Sequence, residues 1–137
     1  MINLGPVTGA VTPTAAERII AMAAAGRQIT ARAGALFAAA QQAAAVEPLI
    51  AGFWQQGREQ TRHAYATFWA RMADDGLLDP AIDLDWLTDT SAIVAAAETY
   101  LLATRLAGWD LDTYQHWLAT TCTRLSAPVS PPPARSG

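Results

Sequence analysis

The side chains able to do chemistry in this sequence are few and scattered. His63, His116 and Cys122 are the candidate bases, nucleophiles and metal ligands. Neither histidine has a cysteine or carboxylate at the spacing of zinc sites, so we interpret both as solvated or rim residues. The aspartates of residues 74–89 fit turns and helix caps. With no nucleophile beside a base and no phosphate-binding glycine loop, we expect no enzyme, no cofactor and no metal site.

Cys122 is the single cysteine of the chain. It excludes an intramolecular disulfide and fits a reducing cytoplasm, which is where we expect the protein to reside. An unpaired thiol on a helix acts as a small apolar filler, and redox sensing is the alternative. The sequence has no signal peptide and no apolar stretch of about 18 residues, so we expect no membrane association.

Glu98 is a carboxylate within residues 84–107, a stretch that is apolar on nearly every side. A carboxylate buried there needs a partner. Arg105, two turns further on, or an arginine of another helix is the expected partner in a structural ion pair. Recognition of a polar group on a ligand is the alternative.

Gly57 and Thr61 interrupt a bulky row at helical spacing. The predicted inward row is Ile50, Trp54, Gly57, Thr61, Tyr65, Phe68 and Met72. The space beside the two small residues must be filled by another helix or by a ligand. One interpretation is a mostly apolar pocket with hydroxyls from Thr61, Thr90 and Ser91. The other is that Gly57 lets a helix pack closely or marks a kink. Spacing alone favours neither.

The elements that would position these residues are helices. The predicted helices span about residues 14–25, 28–45, 47–75, 84–107 and 110–125. Thr14 and Glu17 form a capping box at the first start, and Gly26 is expected to end that helix. Pro48 suits the first turn of the third helix. The sequence therefore predicts an all-α, antiparallel helical bundle of about five helices.

Capping signals also bracket the last two helices. Asp83 and Asp110 are expected N-caps, and Gly76 and Gly108 suit the left-handed conformation that closes a helix. Because the 84–107 helix is apolar all round and few helices remain to cover it, we expect a second subunit to supply part of the cover.

This part of the chain resembles the C-terminal ligand-binding and dimerisation domain of TetR-type bacterial transcriptional regulators. The resemblance rests on "DDGLLDP", "AETYLLATRLAGW" and "DLDTYQHWL", and upstream on Glu47-Pro48, Trp54 and Arg62. It covers most of residues 14–125. The long third helix of that family lines an effector cavity, so the resemblance favours a pocket for a small, mostly apolar ligand. The expected ligand-binding residues are Phe37, Trp54, Gly57, Thr61, Tyr65, Phe68, Thr90 and Val94.

The resemblance also implies a homodimer with a four-helix interface. The expected interface residues are Ala96, Tyr100, Tyr114, Trp117, Leu118 and Thr121. Two functions stay open on this basis. One is an effector-sensing and homodimerisation domain of a transcriptional regulator. The other is a helical interaction module without a DNA-binding head, which only dimerises and binds neither ligand nor DNA.

Composition and charge set the remaining expectations. A chain of 137 residues that is 52% hydrophobic can build the core of one domain. Its net charge of −3 gives no basic surface for DNA phosphates. TetR-type regulators read DNA with an N-terminal helix-turn-helix. We expect DNA contact only through such a head, and residues 1–13 are not expected to supply one. We expect a flexible leader over residues 1–13, a helical domain over 14–125 and a proline-rich disordered tail over 126–137.

Overall fold

A computed structural model describes residues 14–127 of the chain. Within this range all regular structure is helical. The elements are α1 (Ala15–Ala43), α2 (Pro48–Asp74), α3 (Leu84–Val94), α4 (Ala97–Leu101), a π-helical turn (Leu102–Leu106) and α5 (Leu111–Ser126). The predicted all-α bundle of about five helices is confirmed. The predicted leader, and the predicted tail after residue 127, lie outside the described residues.

Helices α1 and α2 form an antiparallel pair. Arg18, near the start of α1, forms an ion pair of 2.7 Å with Asp75, directly after α2. At the opposite end, the rings of Phe37 and Trp54 meet edge to face at a centroid distance of 6.3 Å. Because both ends are tied, the two long helices form a frame against which the shorter helices pack.

The shorter helices cover one side of this frame. Helices α3 and α4 together run antiparallel to α2. Arg62 of α2 contacts Asp89 of α3, whereas Trp54, two turns earlier in α2, contacts Glu98 of the later helix α4. Helix α5 packs against α1 and also contacts α3. The largest side chains with almost no exposure are Trp69, Met72, Leu87, Tyr114 and Leu118. The core therefore lies among α1, α2, α3 and α5.

The capping signals of the sequence are confirmed. Thr14 and Glu17 form the complete capping box at the start of α1. Asp83 accepts a hydrogen bond from the backbone N–H of Trp86, and Asp110 caps α5. Gly76 and Gly108 have φ of 73° and 72°, in the left-handed region that glycine adopts without steric cost. These ends need only local chemistry.

The predicted break at Gly26 was wrong, because α1 continues through it. A Cβ on Gly26 would lie 3.7 Å from Cδ2 of Leu118, so α5 approaches the backbone of α1 closely here. The Thr30 hydroxyl donates to the carbonyls of Gly26 and Arg27, both at 3.1 Å. An interior glycine costs a helix about 1 kcal/mol, and packing against α5 offsets this cost.

The predicted helix over residues 84–107 was also wrong in its continuity. It ends at Val94, and Ala96 has an extended backbone with ψ of 150°. The Thr99 hydroxyl donates to the carbonyl of Ile93 at 2.6 Å, and the Ala96 N–H donates to the same carbonyl at 3.3 Å. Alanine is the best helix former, so the break arises from packing and not from local preference.

Candidate functional site

The predicted ligand-binding residues fall into two groups and do not enclose one cavity. Phe37 and Trp54 contact each other near the turn between α1 and α2. Tyr65 and Phe68 meet at 6.4 Å further along α2, and Phe68 lies against the buried Trp69. Val94 packs against the core, and Thr90 is half-buried. The aromatic side chains thus serve packing at two separate levels of the bundle.

The prediction that Gly57 faces the inside of the bundle is wrong. This residue is exposed, and a Cβ built on it would meet no atom within 4 Å. The Thr61 hydroxyl donates to the carbonyl of Gly57 at 3.0 Å, so it is used within its own helix. Gly57 therefore borders solvent, and no other helix of the described residues packs against its Cα.

A cleft does open between α1, the π-helical turn and the start of α5. Its volume is about 470 Å³, and it is open to solvent. Its lining consists of Arg27, Ala31, Tyr100, Thr104, Trp109, Asp110, Leu111 and Asp112. Tyr100 is the only residue in this lining that the sequence analysis assigned to a predicted site, the dimer interface, and Asp110 was predicted only as an N-cap.

The π-helical turn shapes one wall of the cleft. The Ala107 N–H donates to the carbonyl of Leu102 at 3.0 Å, five residues back, so the turn is wider than that of an α-helix. The Thr104 hydroxyl donates to the carbonyl of Tyr100 at 2.9 Å. After Gly108 the chain turns, and the Trp109 ring packs at 5.5 Å from Trp117. No pattern in the sequence signals this π turn.

Charges of both signs line the cleft. Arg27 forms an ion pair with Asp112 and donates to Oε1 of Gln115 at 3.0 Å. The Asp110 carboxylate accepts the Thr113 N–H at 2.8 Å. This backbone hydrogen bond, with smaller help from nearby Arg27, lowers the pKa of Asp110, so the carboxylate stays ionised. The cleft thus combines aromatic walls with one cation and two anions.

Of the two partners that the sequence analysis left open for Glu98, the structure has an arginine of another helix and not Arg105. Arg58 on α2 donates from Nε at 2.8 Å, and the Trp54 indole donates at 3.1 Å to the same oxygen. Burial raises the pKa of Glu98, but its own backbone N–H, Arg58 and Trp54 together outweigh burial and lower it. This network fixes α4 to α2.

Polar groups occur in the core around Cys122. The Trp69 indole donates to Oγ of Ser91 at 3.0 Å, and both residues are fully buried. Burial raises the pKa of the Cys122 thiol to about 11 and that of the Tyr114 hydroxyl to about 12. The thiol is therefore protonated near neutral pH, which fits an apolar filler better than a reactive thiol.

Three residues of the predicted dimer interface are already buried within a single chain. Tyr114 and Leu118 are each 1% exposed and Tyr100 is 8% exposed, all three within a single chain. α1 and its neighbours already cover these three side chains within one chain, and the assignment of interface residues stays a prediction. Ala96, Trp117 and Thr121 are half-buried. The face of α5 that the periodicity picked out is apolar because it faces α1.

Large apolar side chains are exposed elsewhere. They are Ile20, Ile29, Leu36, Val46, Leu49, Phe53, Trp86, Ile93, Leu102 and Leu106. The sequence analysis assigned none of them to an interface. Their high exposure shows only once the helices are placed, because apolar residues in a helical row are otherwise interpreted as core.

Comparisons with known proteins give no assignment, since no family model, curated protein or solved structure matches the chain. The resemblance to TetR-type regulators therefore stays a prediction. In the part of the chain that the structure describes, no group of histidine, cysteine and carboxylate side chains could hold a metal ion. Among residues 14–127, no helix combines the length and apolar character needed to cross a membrane.

Proposed function

We propose that this chain is an association domain that pairs with a second copy of itself, as in the dimerisation domain of TetR-type regulators that it resembles. The observation that carries the proposal is the apolar surface left to solvent. Among residues 14–127, ten large apolar side chains are exposed, and Val46 and Leu106 are more than 80% exposed. Removing such surface from water is the main driving force of protein association, and contiguous apolar patches on small proteins mark interaction sites.

The mass in solution tests pairing directly. Sedimentation velocity or light scattering between about 1 and 200 μM, a range that brackets typical transient dimers, should give twice the chain mass of 14.5 kDa at the upper end. A mass of one chain across the whole range contradicts the proposal. Circular dichroism on the same samples must report a mainly helical chain.

Sensing of a small ligand is a second candidate function, and the cleft beside Arg27 favours it. Binding sites for small molecules are concave, largely apolar and equipped with a few polar groups. Tyr100 and Trp109 supply aromatic surface there, and Arg27 and Asp112 supply charge. A small, mostly apolar ligand with one charged group is the class that this lining fits. DNA contact would need a separate basic head, since the chain has a net charge of −3.

Matched probes of opposite charge test this second function. Naphthalene-1-carboxylate and 1-naphthylmethylamine have the same ring and differ in the sign of one charge. Preferential binding of the carboxylate should be lost in Arg27→Gln and kept in Arg124→Gln, an exposed arginine near the other end of α5. Preference for the amine should be lost in Asp112→Asn instead. Binding of neither probe, by titration calorimetry at millimolar concentration, contradicts sensing at this cleft.

A further inference from the structure

The turn between α1 and α2 and the helix ends that flank it have an unusual charge pattern. Between Arg32 and Arg58, the only formal charge is that of Glu47. This carboxylate accepts the Leu49 N–H at 3.2 Å and so caps α2. We call residues 33–57 the α1–α2 hairpin. The whole chain of 137 residues has 21 charged residues, 12 acidic and 9 basic. A stretch of 25 residues with one charge is therefore poor in charge compared with the rest of the chain.

The hairpin also exposes four large apolar side chains to solvent. Leu36 and Phe53 are each 69% exposed, Leu49 is 75% exposed and Val46 is 85% exposed. The inner side of the hairpin is already closed by Phe37 and Trp54. Single apolar residues on a surface are normal. Four on one charge-poor hairpin exceed what folding of the chain requires.

We propose that the α1–α2 hairpin is the surface through which two copies of this chain pair, each contributing the end of α1 and the start of α2. The inference rests on the proposed association function and specifies its surface. It differs from the pairing implied by the resemblance, which uses the last two helices. Two helices from each copy would form a four-helix contact with an apolar centre.

Charge favours a second copy as the occupant. In a two-fold symmetric interface the same patch lies on both sides, so charged residues near the axis would meet their own like charges. The hairpin avoids this repulsion because Glu47 is its only charge and already caps a helix. Ala39 and Ala43, on the same hairpin, are small enough for close approach of a partner helix. Interface centres are likewise depleted in charge.

The available area is of the size that pairing needs. The four exposed side chains together offer on the order of 600 Å² of mostly apolar surface per chain, against about 800 Å² per partner in a standard interface. The alanines between them and Pro48 add to this. The hairpin alone therefore comes near the area of a stable dimer contact.

The other exposed apolar residues are less suited to self-pairing. Trp86 and Ile93 are interleaved on α3 with Asp85 and Asp89, which would face like charges across a two-fold axis. Leu102 and Leu106 flank Arg105 on the π-helical turn. A lipid surface is a poorer occupant of the hairpin, because helices that lie on membranes use lysine or arginine to bind anionic headgroups, and residues 33–57 have neither.

The test compares two sets of aspartate substitutions. The double variant Leu49→Asp/Phe53→Asp introduces charge into the hairpin, whereas Leu106→Asp does so at a leucine that is 81% exposed outside it. Both variants alter exposed side chains, so circular dichroism should match that of the unmodified chain. Sedimentation should show dimerisation weakened on the order of 100-fold or more by the hairpin variant, as for central interface residues, and unchanged by Leu106→Asp.

Thiol labelling gives a second measurement that does not depend on charge. A Leu36→Cys variant should react with a maleimide rapidly when dilute and several-fold more slowly at dimer-forming concentration. Ile20→Cys, at the other end of α1, should react at the same rate in both. The native Cys122 gives little background, because it is 3% exposed.

The outcomes separate the two proposals. A chain that is monomeric at every concentration overturns both. A dimer that survives Leu49→Asp/Phe53→Asp and is lost in Leu106→Asp keeps the association function and overturns the hairpin as its surface. A monomer that sediments with phosphatidylcholine vesicles, and loses this in the hairpin variant, assigns the hairpin to a lipid surface and also overturns the inference.

Discussion

Two glycines of α1 should respond in opposite ways to alanine. Replacement of an interior helical glycine by alanine raises the free energy of unfolding by about 0.5–1 kcal/mol, because glycine loses more conformational freedom on folding and has the lower helix propensity. At Gly26 the new Cβ would lie 3.7 Å from Leu118, which is an ordinary contact. Gly26→Ala should therefore raise the free energy of unfolding by about 0.5–1 kcal/mol.

At Gly34 the same change meets a packed ring. A Cβ there would lie 2.8 Å from the Tyr100 hydroxyl and 3.3 Å from Cε2 of that ring. The Tyr100 ring cannot easily move away, because the rings of Phe37 and Tyr114 pack edge to face against it, with centroid distances of 6.5 and 5.3 Å. Overpacking costs about 1–3 kcal/mol, which exceeds the gain in propensity. Gly34→Ala should thus lower the free energy of unfolding by about 1 kcal/mol, and the two alanine variants should differ by about 2 kcal/mol.

Urea unfolding followed by circular dichroism at one fixed protein concentration measures both variants. Tyr100→Phe removes the atom at 2.8 Å and should recover most of the loss in Gly34→Ala, which a double-mutant cycle reports as a coupling of about 1 kcal/mol. If Gly34→Ala is as stabilising as Gly26→Ala, or if the cycle shows no coupling, then α4 does not pack against α1 in the described way.

Three further predictions concern the core and its polar groups. Leu118→Ala should lower the free energy of unfolding by about 2–5 kcal/mol, as for other buried leucines. The loss should be the same at low and high protein concentration, because Leu118 is covered within one chain. A loss seen only at high concentration would indicate that Leu118 lies in an interface. Glu98→Gln should make the free energy of unfolding less dependent on pH on the acid side. The pKa of Glu98 is lowered from 4.5 in the folded chain, so the ionised carboxylate stabilises the chain above about pH 4.5, and this stabilisation is lost as pH falls through the pKa of the folded chain. If denaturant titrations between pH 3 and 6 give the variant and the unmodified chain the same dependence of stability on pH, the prediction is contradicted. Cys122 should react with dithionitrobenzoate at pH 8 only after urea is added, because burial raises its pKa to about 11, and full reaction of the native chain within minutes would show the thiol to be accessible.

The sequence was sufficient for features that depend on a few adjacent residues. The capping box of Thr14 and Glu17, the N-caps Asp83 and Asp110 and the glycine that ends α2 all act through hydrogen bonds or backbone sterics within one turn. Such interactions involve no tertiary contact. The class of fold followed from them together with the apolar spacing.

Contacts between helices decided what the sequence could not. Gly26 has the local signature of a helix end, yet Leu118 packs against it and α1 continues. Residues 95–96 have the highest helix propensity, yet the chain breaks there. In both cases packing free energy exceeds a propensity difference of about 1 kcal/mol or less.

The candidate site was harder to predict for the same reason. Gly57 belongs to a row with correct helical spacing, but whether a row faces core or solvent depends on the helix opposite, which spacing does not specify. The cleft beside Arg27 depends on the π-helical turn at residues 102–106, and that turn has no sequence signature. Glu98 was different, because a carboxylate in an apolar stretch demands a partner wherever the other helices lie.

The continuity of α1 has a mechanical consequence. From Arg27, at the cleft, to Ala43, at the end of α1, an unbroken helix spans roughly 24 Å at 1.5 Å per residue. It therefore acts as a stiff lever, on which a tilt of about 5° at the cleft displaces the far end by about 2 Å. A break at Gly26 would have left the first turns of this helix unconnected to that movement. Because Gly26 is helical, α1 is one continuous helix from its contact with Asp75 to the α1–α2 hairpin, and a tilt at either end would be transmitted along its whole length.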